Sequence, residues 1–236
     1  MAMYFFTKII ELFPIILVFS YICDVDLQQS IRSYSAQPLT HQLLLSLLRA
    51  YKRPNDKIHA LLREEILAPV KKGLYIAGPA VNTAKPEPFL LANHILGPSY
   101  VSSDTALSYH GLIPERVYEI ISMTTKTPRK YSTSMGLFSY TRLPLPYYSF
   151  GIRQIKLSDE QFALVASPEK ALFDKVVTTP GVLFRSPRTV MDYLVDNLRI
   201  DEDNLKNLDT KIMLEWVPKS LKKESLLTLI NTIQSL

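Results

Sequence analysis

Between Leu39 and Ala77 the apolar residues change period in a way that leaves few folds open. Leu43, Leu44, Leu47, Leu48 and Tyr51 recur at helical spacing and make one apolar stripe. Thr40 stands before it as an N-cap. Lys52-Arg53-Pro54-Asn55 then breaks the helix, because proline disfavours helical backbone in the residue before it. A second helix is predicted from Asn55 or Asp56, with Ile58, Leu61, Leu62 and Ile66 on one face. At ~100° per residue, Asp56, Lys57, Ala60, Arg63 and Glu64 fall on the other. Glu65 lies on the apolar side, so the helix is expected to fray there. Residues 67–70 and 74–77 then read as two short strands around Lys71-Lys72-Gly73. Gly73 supplies the positive φ that such a turn needs.

Helix, break, helix and a lysine-tipped hairpin is the layout of a winged helix-turn-helix. In that layout the second helix enters the major groove, and the hairpin cations lie along the phosphate backbone. Arg53, Asn55, Lys57, His59, Arg63, Lys71 and Lys72 are therefore the candidate DNA contacts. A helical pair packed on a hairpin in a non-binding domain has the same pattern.

Charge distribution points the same way. Residues 31–89 carry nine basic and four acidic side chains, and residues 110–156 carry seven and two. Residues 157–217 reverse the sign, with seven basic and eleven acidic. Basic blocks favour phosphate-bearing partners, although a solvated surface of uneven charge looks alike. With 47% apolar and 21% charged residues, the chain is neither intrinsically disordered nor a polytopic membrane protein. One cysteine, Cys23, excludes an internal disulfide framework and a cysteine-based zinc site. His41, His59, His94 and His110 lack the spacing of a classical zinc hydrolase. Seven glycines argue against glycine-rich nucleotide loops. No metal and no cofactor is expected.

Phe13 to Cys23 reads FPIILVFSYIC. Eleven residues are too few to span a membrane, which takes roughly 18 or more. Lys8 before the run resembles a secretory signal, but Glu11 and Pro14 interrupt it and no A-x-A-like site follows closely. A packed extra helix and a start further downstream are the other readings. Residues 1–36 are taken as an N-terminal extension, 37–79 as the winged-helix-like domain, 80–88 as a linker and 89–236 as a mixed α+β domain with an antiparallel sheet and C-terminal helices.

In that last region Ser102 or Ser103 is the expected cap of a short helix that Gly111 stops. Residues 117–124, 130–133 and 137–143 read as strands, and 151–157 and 162–166 as two more. Lys126, Arg129, Lys130 and Arg142 are candidate contacts to nucleic acid or a partner. Tyr131, Tyr140, Tyr147 and Tyr148 interleave with these cations, as in single-strand binding surfaces, or else line a sheet core.

GPSYVSSDTALSYHGLIPE (97–115), EIISMTTKTPRKYST (119–133), GLFSYTRLP (136–144) and ASPEKALFDKV (166–176) together resemble the AbiEi family. HALLREEILAPVKKGLYIAG (59–78) resembles the end of that family's N-terminal winged helix. The resemblance covers roughly residues 40–200. It implies an antitoxin and transcriptional autorepressor of a type IV toxin–antitoxin (abortive-infection) system. Such a protein has no catalytic activity, works in the cytoplasm and binds repeats in the promoter DNA of its own operon. Its functional partner is a nucleotidyltransferase-like toxin, with no stable complex implied. A homodimer on paired half-sites is a further expectation.

The acidic C-terminal part is read as helical from Pro168, with Ser167 before it, and again over 187–198, 210–216 and 219–235. The last helix carries Leu221, Leu226, Leu227, Ile230 and Ile233, for packing on the sheet or for a dimer face. Two residue groups suggest enzymatic readings. Ser108, His110 and Glu115 lack a nucleophile elbow. Glu169, Lys170 and Asp174 suggest a Mg²⁺-dependent nuclease, against the plainer reading of charges on a surface helix. A nuclease or an RNA-binding protein is the alternative to the repressor.

Overall fold

The structure is a computed structural model that describes residues 27–236. The FPIILVFSYIC run lies outside them. The chain is mixed α and β and divides into two compact units, with the break between Pro86 and Glu87. Among the described residues no helix is long and apolar enough to cross a membrane.

The first unit runs helix α1 (27–33), strand β1 (Leu39–Thr40), helices α2 (His41–Leu47) and α3 (Pro54–Arg63), and strands β2 (Leu67–Lys71) and β3 (Leu74–Ala77). Both neighbours of the central β3 are antiparallel to it, in the order β1-β3-β2. Thr40 caps α2 by accepting from the Leu43 N–H at 3.2 Å. Helix α3 begins at Pro54, one or two residues before the expected start. Proline interrupts a helix from within but suits its first position, where its missing N–H has no partner to lose. Glu65 turns into the left-handed region at φ 55° and ends the helix, as its place on the apolar side requires. Leu44, Leu48, Ile58 and Leu61 meet in one core with Leu27 and Ile31 of α1 and with Val81. Part of the expected extension and of the expected linker thus contributes to the core. Each such side chain contributes about 1.5–3 kcal/mol by leaving water.

Gly78 marks a close approach of two backbones. Its N–H donates to Ile66 O at 2.8 Å, and a Cβ built on it would overlap the Glu65 carbonyl group. A backbone carbonyl fixed by its own hydrogen bonds has little room to yield. Gly78→Ala is expected to lower stability by about 2–3 kcal/mol in thermal unfolding of the full chain. A loss below about 0.5 kcal/mol would show that the approach is looser than this geometry.

The second unit is a six-stranded sheet in the order β6-β7-β5-β4-β9-β8. Its strands are β4 (Ser99–Val101), β5 (Glu119–Thr124), β6 (Arg129–Thr133), β7 (Gly136–Arg142), β8 (Ile152–Lys156) and β9 (Phe162–Ala166). The expected antiparallel sheet is corrected to a mixed one. Strand β5 lies parallel to β7, and β4 parallel to β9. The chain passes over the end of β7 on leaving β5, descends as β6, and returns up the middle as β7. Helix α4 (Pro88–Ile95) covers one face, where the Tyr140 hydroxyl donates to Ala92 O at 2.6 Å. Helices α5 (Ser103–Tyr109) and α6 (Pro168–Thr178) cover the other.

Helices α7 (Pro187–Met191), α8 (Glu202–Lys206), α9 (Thr210–Trp216) and α10 (Lys223–Gln234) complete the unit. A wider π-helical turn, Asp192–Asn197, continues α7. The apolar stripe of α10 packs inside its own unit, with Leu226, Leu229, Ile230 and Ile233 buried. Leu221, expected on that helix, precedes it and is exposed. Lys222 reaches back to the end of α6, donating to Val176 O, Thr179 O and Val182 O at 2.7–3.0 Å. A cation there answers the partial negative charge of the helix end.

Candidate functional site

Ile58 and Leu61 point α3 at the core, which fixes what its opposite side presents. Asn55, His59 and Arg63 follow at i, i+4 and i+8 and are all exposed. They form a single stripe, with Asp56 beside it. Lys57 departs from its expected place on that face. It is half-buried on the flank, with its Nζ 5.6 Å from the centre of the Tyr51 ring. Arg53, at the helix entrance, sits 3.7 Å from Asp56, and both side chains are mostly in water. Such a pair contributes at most about 1 kcal/mol and opens readily for a phosphate.

The hairpin tip is the second part of this surface. Gly73 has φ +79°, and its carbonyl accepts from the His41 N–H at 2.9 Å. Lys72 is exposed and Lys71 half-buried. A register shift between Pro69 and Lys71 twists the strand just before the tip. Of the residues expected on this surface, Arg53, Asn55, His59, Arg63 and Lys72 are exposed, while Lys57 and Lys71 are half-buried.

In the second unit the sheet topology gathers three of the four candidate cations. Arg142 ends β7 next to Thr124, which ends β5. The turn after β5 carries Thr125, Lys126 and Thr127 across the end of β7, and Arg129 opens β6. Lys126, Arg129 and Arg142 thus line a cleft of about 460 Å³ with Leu96, Thr125 and Thr127. Its lining contains no carboxylate. Lys130 is turned away from it and lies 3.4 Å from Glu119.

The tyrosines expected among these cations are core residues. Tyr140, Tyr147 and Tyr148 are buried, and Tyr131 meets Tyr140 edge-on at 5.8 Å. Burial pushes the phenols of Tyr140, Tyr147 and Tyr148 up, that of Tyr148 to about 12.

The expected surface helix with charges at Glu169, Lys170 and Asp174 is also corrected. All three are buried, Lys170 and Asp174 with no exposed area. Lys170 Nζ donates to Asp174 Oδ1 at 2.9 Å and to Tyr147 O at 3.0 Å. It also lies 3.3 Å from the centre of the Tyr147 ring, whose negative face attracts a cation. The Tyr147 hydroxyl shares Oδ1 at 2.9 Å. The hydroxyls of Tyr100 and Ser102 donate to Oδ2 at 2.9 and 2.7 Å. Ser102 stands at the N-cap position of α5 but gives its side chain to Asp174, so it makes no cap bond. Burial lowers the Lys170 ammonium and Asp174 opposes that shift. Glu169 accepts from the Ser167 hydroxyl and the Asp209 N–H. Lys170 and Asp174 have no exposed area, and both Glu169 oxygens are already engaged, so the cluster reads as a buried structural network. Among the described residues no group of three or more His, Cys, Asp or Glu is placed to hold a metal ion.

Ser108, His110 and Glu115 make no triad. Ser108 donates to the Glu115 carbonyl at 2.8 Å, and His110 Nε2 donates to Ala166 O at 2.8 Å. No family model matches this sequence, and no curated protein matches it.

Proposed function

We propose that the chain is a DNA-binding autorepressor whose first unit reads operator DNA as a winged helix-turn-helix. One observation carries this reading. In the order α1, β1, α2, α3, β2, β3, the third helix exposes Asn55, His59 and Arg63, and the hairpin after it ends in Lys71-Lys72-Gly73. Helix α3 is the element of suitable length and exposure for the major groove, and the lysine tip suits the flanking phosphates. The resemblance to AbiEi antitoxins adds the second half of the proposal. The protein is the antitoxin of a type IV pair, acts in the cytoplasm and counters a nucleotidyltransferase-like toxin without catalysis of its own. Two copies on paired repeats fit such a repressor.

The test is fluorescence anisotropy of the full chain on the DNA upstream of its own gene, against a scrambled duplex, at low and high salt. Selective binding that weakens steeply with salt is expected. Arg63→Ala is expected to reduce the preference for the cognate duplex by about 1–3 kcal/mol. Lys72→Ala is expected to weaken both duplexes alike, because phosphate contacts carry little sequence information. Equal effects of both changes on both duplexes would remove α3 from the recognition role. Rescue of growth on co-expression with the neighbouring toxin gene tests the antitoxin half. Toxicity unchanged by co-expression would reject it.

A further inference from the structure

The proposed DNA-reading surface lies in the first unit and leaves the cationic cleft of the second unit without a task. We propose that this cleft binds an oligophosphate, an anion of two or more linked phosphate groups. Three features favour that class.

The first is placement on one face. Tyr140 stands directly opposite Arg129, and Arg142 follows it by two residues on β7. Alternation puts all three on the same side of the sheet, the side where the Tyr140 hydroxyl reaches Ala92 of α4. Arg129 and Arg142 are diagonal neighbours there, with backbones about 7–8 Å apart. Thr124, opposite Arg142, holds the backbone of the third cation. Its buried hydroxyl donates to Pro98 O at 2.8 Å and accepts from the Lys126 N–H at 3.2 Å. Leu96, just after α4, completes the lining with Thr125 and Thr127.

The second is unanswered charge. Among the described residues Lys126, Arg129 and Arg142 form no ion pair, and no carboxylate lines the cleft. Like charges gathered at one concavity repel, and a bound anion removes that cost. A phosphodiester brings a single negative charge and a terminal phosphate about −1.5 to −2, so three cations exceed either. Linked phosphates match them, and each arginine can grip phosphate oxygens with two parallel hydrogen bonds.

The third is confinement. Lys130, next along β6, pairs with Ser139 on the opposite face and lies 3.4 Å from Glu119. The patch therefore does not continue along β6. Single-stranded nucleic acid takes a groove whose cations follow its backbone, with aromatic rings for its bases. No aromatic ring lines this cleft.

Isothermal titration calorimetry of the full chain, without divalent cations, tests the proposal with pyrophosphate, inorganic phosphate, citrate, ATP and a short oligothymidylate. Pyrophosphate is expected to bind at least about tenfold more tightly than inorganic phosphate or citrate. Arg142→Gln and Arg129→Gln, both at exposed sites, are each expected to weaken pyrophosphate by about tenfold. Arg63→Ala, in the first unit, is expected to leave it unchanged, which separates this site from the DNA-reading surface. ATP that competes with pyrophosphate at similar affinity would identify the phosphate tail of a nucleotide as the ligand. Pyrophosphate binding without ATP binding would identify free oligophosphate. Citrate or inorganic phosphate binding as tightly as pyrophosphate would overturn the proposal, as would affinity indifferent to both arginine changes. Oligothymidylate binding lost in Arg142→Gln, yet not displaced by pyrophosphate, would overturn it in favour of a nucleic-acid groove.

Discussion

Asp174→Ala is expected to destabilise the protein by about 3–5 kcal/mol, the scale for breaking a buried ion pair from one side. Lys170 would keep its charge in a site with no exposed area, and three hydroxyls would lose their acceptor. Total stabilities of about 5–15 kcal/mol leave little after such a loss. Urea denaturation followed by circular dichroism should show the midpoint falling sharply at constant slope. The double change Lys170→Met with Asp174→Leu should recover part of the loss, since no charge is then buried. It should not recover all of it, because Tyr100, Tyr147 and Ser102 would remain without partners, at about 1–3 kcal/mol each. A single Asp174→Ala variant within about 1 kcal/mol of the parent would mean that water reaches the cluster.

The second large effect is alkaline unfolding. Burial raises the phenols of Tyr100, Tyr140, Tyr147 and Tyr148, and Asp174 adds to the shift of all but Tyr140. Below pH 10 these groups are protonated in both states, so their contribution is fully present. Above pH 10 the unfolded chain ionises them and the native state resists. Stability is then lost at about 1.4 kcal/mol per pH unit for each phenol. Lys170 works the other way. Its lowered folded pKa makes stability rise with pH, but only up to its unfolded value of about 10.5. Four phenols then act unopposed, at about 5–6 kcal/mol per pH unit.

Cooperative unfolding is expected between about pH 10.5 and 12. Tyrosinate absorbance should rise in two stages: exposed phenols first, then the buried ones together with loss of circular dichroism. Ionisation of all thirteen tyrosines in one step near pH 10, with the fold intact, would contradict the buried cluster.

Helices α2 and α3 and the β2–β3 hairpin were legible because each is written locally, whereas α1, inside the expected extension, and the two-residue β1 were not foreseen. The Leu43–Tyr51 stripe, the Thr40 cap and the Lys71-Lys72-Gly73 turn depend on neighbours within a few residues. Even Pro54, expected to stand outside α3, failed by only a residue or two. The exposed candidates were legible for the same reason, since charged residues opposite Ile58 and Leu61 have nowhere to point but water.

Most strands and helices of the second unit were legible, but not β4, α8 or the order of the sheet. The pairing of β5 with β7 rather than β6 depends on where the chain crosses, which alternation does not encode. Lys170 and Asp174 were unreadable for a related reason. At i, i+4 on a helix they look like a surface pair. The tyrosine and serine hydroxyls that make their burial tolerable come from residues 27 to 74 positions away. The cationic cleft was half legible: Lys126, Arg129 and Arg142 stood out as basic, but only the crossover above β7 brings them to one point.

That crossover and the parallel strands also bear on how the chain is made. The β6–β7 hairpin closes over two residues and can form as soon as it leaves the ribosome. The centre of the sheet has to wait, because β4 gains its second neighbour only when Val165 pairs opposite Val101. Loop closure over that distance is slow and entropically unfavourable until β9 and α6 arrive together. During synthesis the first unit is therefore able to fold before the second, and for that interval β4 is an open edge that invites pairing with another nascent chain.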